Sequence, residues 1–268
     1  MHPRRALAVC LLLVGLVAAA LPASGQESVE PITWLLNVTV KPGKFMDLEK
    51  SAGTYDKPVL DGLVARGDIT SWGLAYQVVG PPHESYMYWV TARDWSAMAK
   101  VDKAFEDSRK GMKEDELEKM MDSYLGATVA EKETSAVVRH IVVGSTPGSR
   151  PGYLMRHVYK VKPGKGAAVK KMYQEYEVPV FKKLLAAGTI SGYGLAVPEM
   201  HTGGDWTHTM WVTFADMAKI DAIDAAFEEA DKARGEATND ALAATWTSMH
   251  DMDAHWDSLM KVSMYGGK

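Results

Sequence analysis

The sequence repeats itself at a distance of 121 residues. Residues 40–44 read VKPGK, and residues 161–165 read VKPGK again. With one residue of drift, the tripeptide WVT at 89–91 returns at 211–213. A period this long indicates a duplicated domain rather than a solenoid of short repeats. Other positions that agree at the first offset include Tyr55 with Tyr176, Pro58 with Pro179, Leu63 with Leu184, Gly67 with Gly188, Gly73 with Gly194 and Leu74 with Leu195.

Each copy is predicted to be a β-α-β-β-α-β unit of the α+β class. Alternating strand formers precede each Lys-Pro-Gly-Lys turn, and helical spacing follows it. Pro58 and Pro179 fall inside those first helices, so we expect a kink or a break at both. The predicted units are residues 31–145 and 151–266, with a turn-rich linker at 144–152 between them. Both units carry one further helical segment before their last strand.

A four-stranded sheet with helices on one face leaves its other face bare. Burying apolar area is worth roughly 25 cal/mol per Å², so such a face favours a partner. Two copies in one chain supply that partner. We therefore expect two ferredoxin-like units packed sheet to sheet, as an intrachain pseudo-dimer.

The first 25 residues have the pattern of a signal peptide. Arg4 and Arg5 precede an apolar run, and small residues at 23–25 follow it. We expect an exported protein, periplasmic or extracellular, without a stable membrane span after cleavage; an uncleaved anchor is the alternative. The only cysteine, Cys10, lies in this segment, so the mature chain has no disulfide, thiol nucleophile or cysteine metal site. Without Arg4 and Arg5, 28 basic residues face 34 acidic ones, and no basic patch predicts nucleic acid as a partner.

The strand that ends in VKPGK, the helix after it, and the WVT strand followed by Phe-Glu resemble the dimeric α/β-barrel superfamily. This superfamily includes the antibiotic-biosynthesis-monooxygenase-like (ABM-like) proteins. The resemblance covers nearly the whole mature chain, twice, and implies a ligand cavity between the sheets or between sheet and helices. Haem-degrading members have an axial histidine where Arg109 and Asp231 stand in this sequence. The resemblance therefore implies no haem ligand here, and we expect no cofactor.

Candidate ligand-binding residues follow from strand alternation. Asn37 and Arg156 occupy the less apolar faces of the first strands, so we expect both to point between the sheets. Trp89 and Trp211 are equivalent strand residues that either fill the core or form a flat pocket wall. His157 interrupts an apolar face and is either a site residue or a hydrogen-bonded core histidine. Together with His208, the predicted ligand-binding set is Asn37, Trp89, Arg156, His157, His208 and Trp211.

Two histidine clusters raise the question of a metal. His201, Asp205 and His208 lie close together in the second unit, and residues 250–255 contain two histidines and two aspartates. Neither spacing is a strong metal motif, and a polar surface explains both. We assign no metal site. His83 and His140 have no equivalent histidines in the second unit. The second unit nevertheless contains more histidines than the first, so it is the predicted active half.

Three classes of function remain open. The first is an exported protein that binds a small, partly hydrophobic molecule. The second is a cofactor-independent, monooxygenase-like enzyme acting on a small aromatic substrate, in which Asn37, Arg156 and the strand tryptophans would orient it. The third is a module that binds another envelope protein. No catalytic residue is assigned.

Overall fold

The structure, a computed structural model, describes residues 30–81, 85–200 and 205–268. The signal-peptide prediction and the residues His83 and His201 lie outside the described residues. The elements of the first half are β1 Ile32–Val38, α1 Phe45–Ser51, α2 Lys57–Arg66, β2 Ser71–Val79, β3 Tyr86–Ala92, α3 Trp95–Lys110, α4 Glu114–Ala127 and β4 Thr134–Ser145. Those of the second half are β5 Tyr153–Val161, α5 Gly166–Met172, α6 Val178–Ala186, β6 Gly192–Pro198, β7 His208–Phe214, α7 Lys219–Arg234, α8 Glu236–Met249 and β8 His250–Gly267.

The predicted α+β class and the duplicated β-α-β-β-α-β order are confirmed. In each half the strands are arranged in the ferredoxin-like order, β4-β1-β3-β2 and β8-β5-β7-β6. The two sheets are joined along both edges, because β2 pairs with β8 and β4 pairs with β6. The bare faces therefore meet inside one closed antiparallel barrel of eight strands, with the order β1-β3-β2-β8-β5-β7-β6-β4.

A turn of π-helix precedes the proline in each first helix. Residues Ala52–Asp56 join α1 to α2, and Tyr173–Glu177 join α5 to α6. The amide of Lys57 bonds to the carbonyl of Ala52, five residues back. A proline has no amide hydrogen and would clash with the carbonyl four residues before it, and one wide turn accommodates this. The expected irregularity at Pro58 and Pro179 is thus a local widening between two helical segments.

Apolar residues fill both sides of the barrel wall. On the outside, Val38 and Val40 pack against Leu48 and Ala52 of the helical layer, as the strand alternation predicts. The interior cluster draws on both halves of the chain. Its buried members are Leu35, Ala75, Met87, Val138, Leu154, Ala196 and Met260.

Among the described residues, no helix has the length and apolar character that crossing a bilayer requires.

Candidate functional site

Two tryptophans stand on opposite walls of the barrel. Trp89 lies on β3 and Trp211 on β7, the second and sixth strands of eight in the order around the barrel. Both pack against the interior cluster and both remain partly accessible. Two large flat apolar surfaces are therefore presented to the same interior space from the two halves of the chain.

A glycine on the neighbouring strand makes room for each indole. Gly73 pairs with Trp89, and Gly194 pairs with Trp211. A Cβ at Gly194 would come within 2.6 Å of the Trp211 ring, and one at Gly73 would come closer still to the Trp89 ring. The agreement of the two glycines between the copies thus has a steric reason, since each tryptophan lies flat across the adjacent strand.

Because Trp211 lies across β6, its indole reaches β4 on the far side. Its Nε1 donates a hydrogen bond of 3.2 Å to Nδ1 of His140, and the rings meet edge to face at 5.6 Å. Nε2 of His140 lies 2.7 Å from Oγ1 of Thr33, which lies 2.8 Å from Oγ1 of Thr91. Four side chains from four strands thus form one continuous hydrogen-bonded chain.

The donor and acceptor in each of these hydrogen bonds follow from the indole of Trp211 at one end of the series. An indole nitrogen can only donate, so Nδ1 of His140 accepts and Nε2 carries the hydrogen and donates to Thr33. Burial lowers the pKa of His140 from 6.5 to about 4, because a charged imidazole is costly away from water. His140 is therefore neutral at ordinary pH, with both ring nitrogens occupied by protein groups. It holds its neighbours in place and is poorly suited to act as a general base.

A cavity of about 330 Å³ opens into the barrel beside this chain. Thr33, Thr91 and His140 line one side of it, and both tryptophans border it. The hydroxyl of Thr209 also lies in its wall, 3% exposed and without a hydrogen-bond partner among the described residues. The outer end is rich in hydroxyl groups, contributed by Thr70, Ser71, Ser145, Thr146, Ser149, Ser191 and Tyr265.

Arg156 also lines the cavity, on β5. Its side chain is 4% exposed. The guanidinium lies 5.2 Å from the centre of the Trp256 ring, and Nη1 approaches Sδ of Met87 at 3.1 Å. A guanidinium stacked on an aromatic ring keeps its charge in an apolar environment. The cavity wall therefore contains one buried cationic side chain, Arg156, in addition to the exposed Lys268.

Of the six ligand-binding residues predicted from the sequence, three line this cavity and three do not. Trp89, Arg156 and Trp211 are brought together. Asn37 donates to Oγ1 of Thr134 at 3.3 Å and does not border the cavity. His157 and His208 have the opposite strand parity to Arg156 and Trp211, so both lie on the outer side of the barrel wall.

The two outer histidines have different surroundings. Nδ1 of His157 lies 2.7 Å from Asp257, and its side chain is partly exposed. His208 is buried beside Thr207, at 3.0 Å. Burial first, and the neighbouring His250 second, lower the pKa of His208 to about 4. His208 is therefore neutral at ordinary pH, like His140.

The sequence interpretation missed His140, Thr33, Thr91 and Thr209 as site residues. Comparison of the two copies contains one usable signal. The register of the repeat places Val262 where the first copy has His140, so one tryptophan has a histidine partner and the other has none. A polar residue that occurs in only one copy of a duplicated strand, such as His140, therefore marks the part of the cavity wall that differs chemically between the two halves.

No known family model matches the chain, and no curated protein matches it. Solved structures do resemble it. A protein of Fusobacterium nucleatum provisionally named a monooxygenase has a TM-score of 0.60 at 11% identity, over 90% of this chain and 95% of its own. A second, from Lactobacillus acidophilus and named in the same way, has a TM-score of 0.59 at 10% identity, over 89% and 96%. At identities this low, the structural similarity establishes a common fold and nothing more.

The topology and these two likenesses define the class. The chain has the dimeric α/β-barrel fold, and all eight strands of its barrel come from one chain. Its barrel contains an inter-sheet cavity with a tryptophan on each of two opposite walls and a histidine-anchored series of hydrogen bonds on one side.

Proposed function

We propose that the protein binds a small, flat, partly hydrophobic molecule in the barrel cavity. The space of about 330 Å³ is in the range of small-molecule sites, which run from roughly 300 to 1,000 Å³. Trp89 and Trp211 supply flat apolar surface on opposite sides, and aromatic rings pack well against such surfaces. Glycines keep both indoles flat, so the walls are formed before any ligand arrives.

One observation carries this proposal. It is the series of hydrogen bonds that links Trp211 through His140 to Thr33 and Thr91. Thr33 and Thr91 have two hydroxyl hydrogens between them, and the bond between them uses one. His140 supplies a third hydrogen to this pair, so one hydroxyl hydrogen is left to donate. Both threonines border the cavity. The ligand therefore needs an acceptor oxygen, as a carbonyl or a phenolate has, and the hydroxyl of Thr209 offers a second polar contact.

Native mass spectrometry of the mature protein tests the proposal. We expect a co-purifying small molecule, or saturable quenching of tryptophan fluorescence by hydroxylated aromatic compounds. Trp89→Leu and Trp211→Leu should each weaken binding about tenfold or more, whereas Trp95→Leu, at an exposed position outside the cavity, should not. Equal effects of all three substitutions, or no saturable binding by any of these compounds, would contradict the proposal.

A second candidate is a cofactor-independent, monooxygenase-like enzyme acting on a small aromatic substrate. The common fold with two provisionally named monooxygenases and the buried hydrogen-bond donors favour it. In such an enzyme an electron-rich substrate reacts with oxygen itself, and the protein orients it and stabilises its developing negative charge. Oxygen consumption that depends on an added hydroxylated aromatic compound, and that is lost in Trp211→Leu, is the expected result. Binding without oxygen uptake would leave the binder as the function, and absence of both would favour an envelope interaction module.

We propose, from the amino-terminal pattern, that the protein acts outside the cytoplasm. Cleavage after residue 25 would give a mature chain that begins at Gln26. Amino-terminal sequencing of the protein recovered from the periplasm or the medium tests this. Recovery of the intact precursor in the cytoplasm would contradict it.

A further inference from the structure

Two histidines and an aspartate meet on the outside of the barrel, where β5 pairs with β8. His157 and Asp257 are direct partners across these strands, and His255 lies two residues before Asp257. Nδ1 of His157 lies 2.7 Å from Oδ1 of Asp257, and Nε2 of His255 lies 2.9 Å from the same oxygen. One nitrogen from each imidazole is thus directed at a single carboxylate oxygen.

The cluster is held in place from one side. Tyr159, two residues after His157 on β5, stacks on the His255 ring with centroids 4.8 Å apart and an interplanar angle of 8°. The hydroxyl-bearing ring of Tyr159 also contacts Trp246 and His250, which fix its own orientation. His157 and His255 are about 30% exposed, at 29% and 31%, and Asp257 is 53% exposed. An ion from solution can therefore reach three side chains whose orientation is largely set.

The three residues have the composition and spacing of a metal site. One ligand atom from each lies within 4.8 Å of the other two. Metal–ligand bonds of about 2.0–2.2 Å in a tetrahedral arrangement hold ligand atoms ~3.4 Å apart. The distances of 2.7 and 2.9 Å to Asp257 need to widen by only about 0.5 Å, which rotation of an exposed carboxylate allows. Two imidazoles and one carboxylate suit Zn²⁺ and its neighbours among the divalent transition metals.

We propose that His157, His255 and Asp257 bind one divalent transition-metal ion of the Zn²⁺ type on the outer surface of the barrel. Two ring nitrogens that share one carboxylate oxygen would then be a metal site in its metal-free form. The fourth coordination position faces solvent and is left for water. This site is independent of the barrel cavity, because His157 points out of the wall at the position next to Arg156, which points in.

Binding of Co²⁺ and Zn²⁺ to the full mature chain, prepared without an affinity tag and treated with a chelator, tests the proposal. Isothermal titration with Zn²⁺ should give one site per chain, and Co²⁺ should give visible absorption bands that Zn²⁺ abolishes. His157→Gln, His255→Gln and Asp257→Asn should each weaken binding about tenfold or more. Asp251→Asn is the matched control, because this aspartate lies on β8 and contacts Lys160 instead of the cluster.

Circular dichroism of each variant checks that it is folded. All four positions are at least partly exposed, so polar replacements should be tolerated. The proposal is overturned if the unaltered chain shows no saturable binding of either metal. It is equally overturned if the three cluster variants bind as tightly as Asp251→Asn. Loss of binding in the three cluster variants alone supports it, whatever the barrel cavity binds.

Discussion

The indole of Trp211 crosses one whole strand of the barrel to donate its hydrogen bond to Nδ1 of His140, 71 residues away in the sequence. The strand it crosses contributes Gly194, which has no side chain to block the path. The bond connects the two halves of the chain through the interior. It also fixes the tautomer of His140 and, through Thr33, the hydroxyl donor that the cavity presents.

Replacing Gly194 with alanine should displace the Trp211 ring. The added Cβ would lie 2.6 Å from the rigid indole, and overpacking of this kind costs about 1–3 kcal/mol. Urea denaturation should show that loss of stability, together with a change in tryptophan fluorescence. Gly126→Ala, in α4 where the new methyl meets nothing within 4 Å, should leave the protein as stable or up to about 1 kcal/mol more stable. Equal stability of the two variants would contradict the steric role of Gly194.

The stability contributed by His140 should depend on pH. Its pKa falls from 6.5 to about 4 on folding because of burial. As the pH falls below 6.5, the unfolded chain takes up a proton at His140 that the folded chain refuses until about pH 4, so acid favours unfolding. The advantage of the unaltered chain over His140→Gln should therefore shrink by about 2–3 kcal/mol between pH 7.5 and pH 4.5. Denaturation curves of both proteins at the two pH values measure it, and a constant difference would argue against a neutral buried imidazole.

Glu177 should show the opposite dependence. Burial raises its pKa from 4.5 to about 7, although the charge of Arg234 opposes this. A raised carboxyl pKa means that stability is complete below pH 4.5 and is lost as the pH rises through 7. Glu177→Gln should therefore be more stable than the unaltered chain at pH 8, by up to about 3 kcal/mol, with a gain below about 1 kcal/mol at pH 4.5.

Glu175 provides the control for this experiment. It lies on the same π-helical turn but is exposed. Glu175→Gln, at an exposed position, should change stability by less than Glu177→Gln does at pH 8. A gain for Glu177→Gln that does not vary with pH would show that packing, and not the carboxyl charge, is responsible.

Removing the hydroxyl of Thr91 should affect ligands selectively. Thr91→Val keeps the shape of the side chain but removes the hydroxyl group that ends the series of hydrogen bonds from His140 through Thr33. For a ligand with an acceptor oxygen, the lost bond should weaken binding about tenfold, since such bonds are worth roughly 0.5–1.5 kcal/mol and more at charged oxygens. An otherwise identical ligand without the oxygen should bind both proteins equally. Fluorescence titration with the matched pair measures this, and equal losses for both ligands would refute the assignment.

The sequence predicts the fold well because the evidence for it is local. Strand alternation, the Lys-Pro-Gly-Lys turns and the repeat each involve residues close together or at one fixed offset. The same alternation correctly directs Arg156 into the barrel. The prediction is least complete for β8, which extends over His250–Gly267 in the structure. The first residues of β8 alternate between polar and apolar side chains, but Asp251, Asp253 and Asp257 are of a type that strands disfavour. Pairing with β5 holds this segment in the sheet.

The site is harder to predict because its contacts are distant in sequence. His140 is a single histidine on a strand, and nothing near it in the sequence indicates Trp211 or Thr33 as partners. The same holds for His157 and Asp257, which are 100 residues apart and meet only because β5 lies beside β8. Asn37 shows a second limit of the sequence. Strand alternation predicts which face of the sheet a residue occupies, but it does not predict how far along the barrel the cavity extends, and Asn37 does not border it.

The position of β8 has a consequence for how the protein is made. This last strand lies between β2 and β5, and its pairing of Gly267 with Ser71 closes the ring. The barrel therefore encloses no lumen until β8 is available to pair, and β2 exposes an unpaired edge until then. Any shortened product that lacks the last strand lacks the enclosed space as well, however complete its first half.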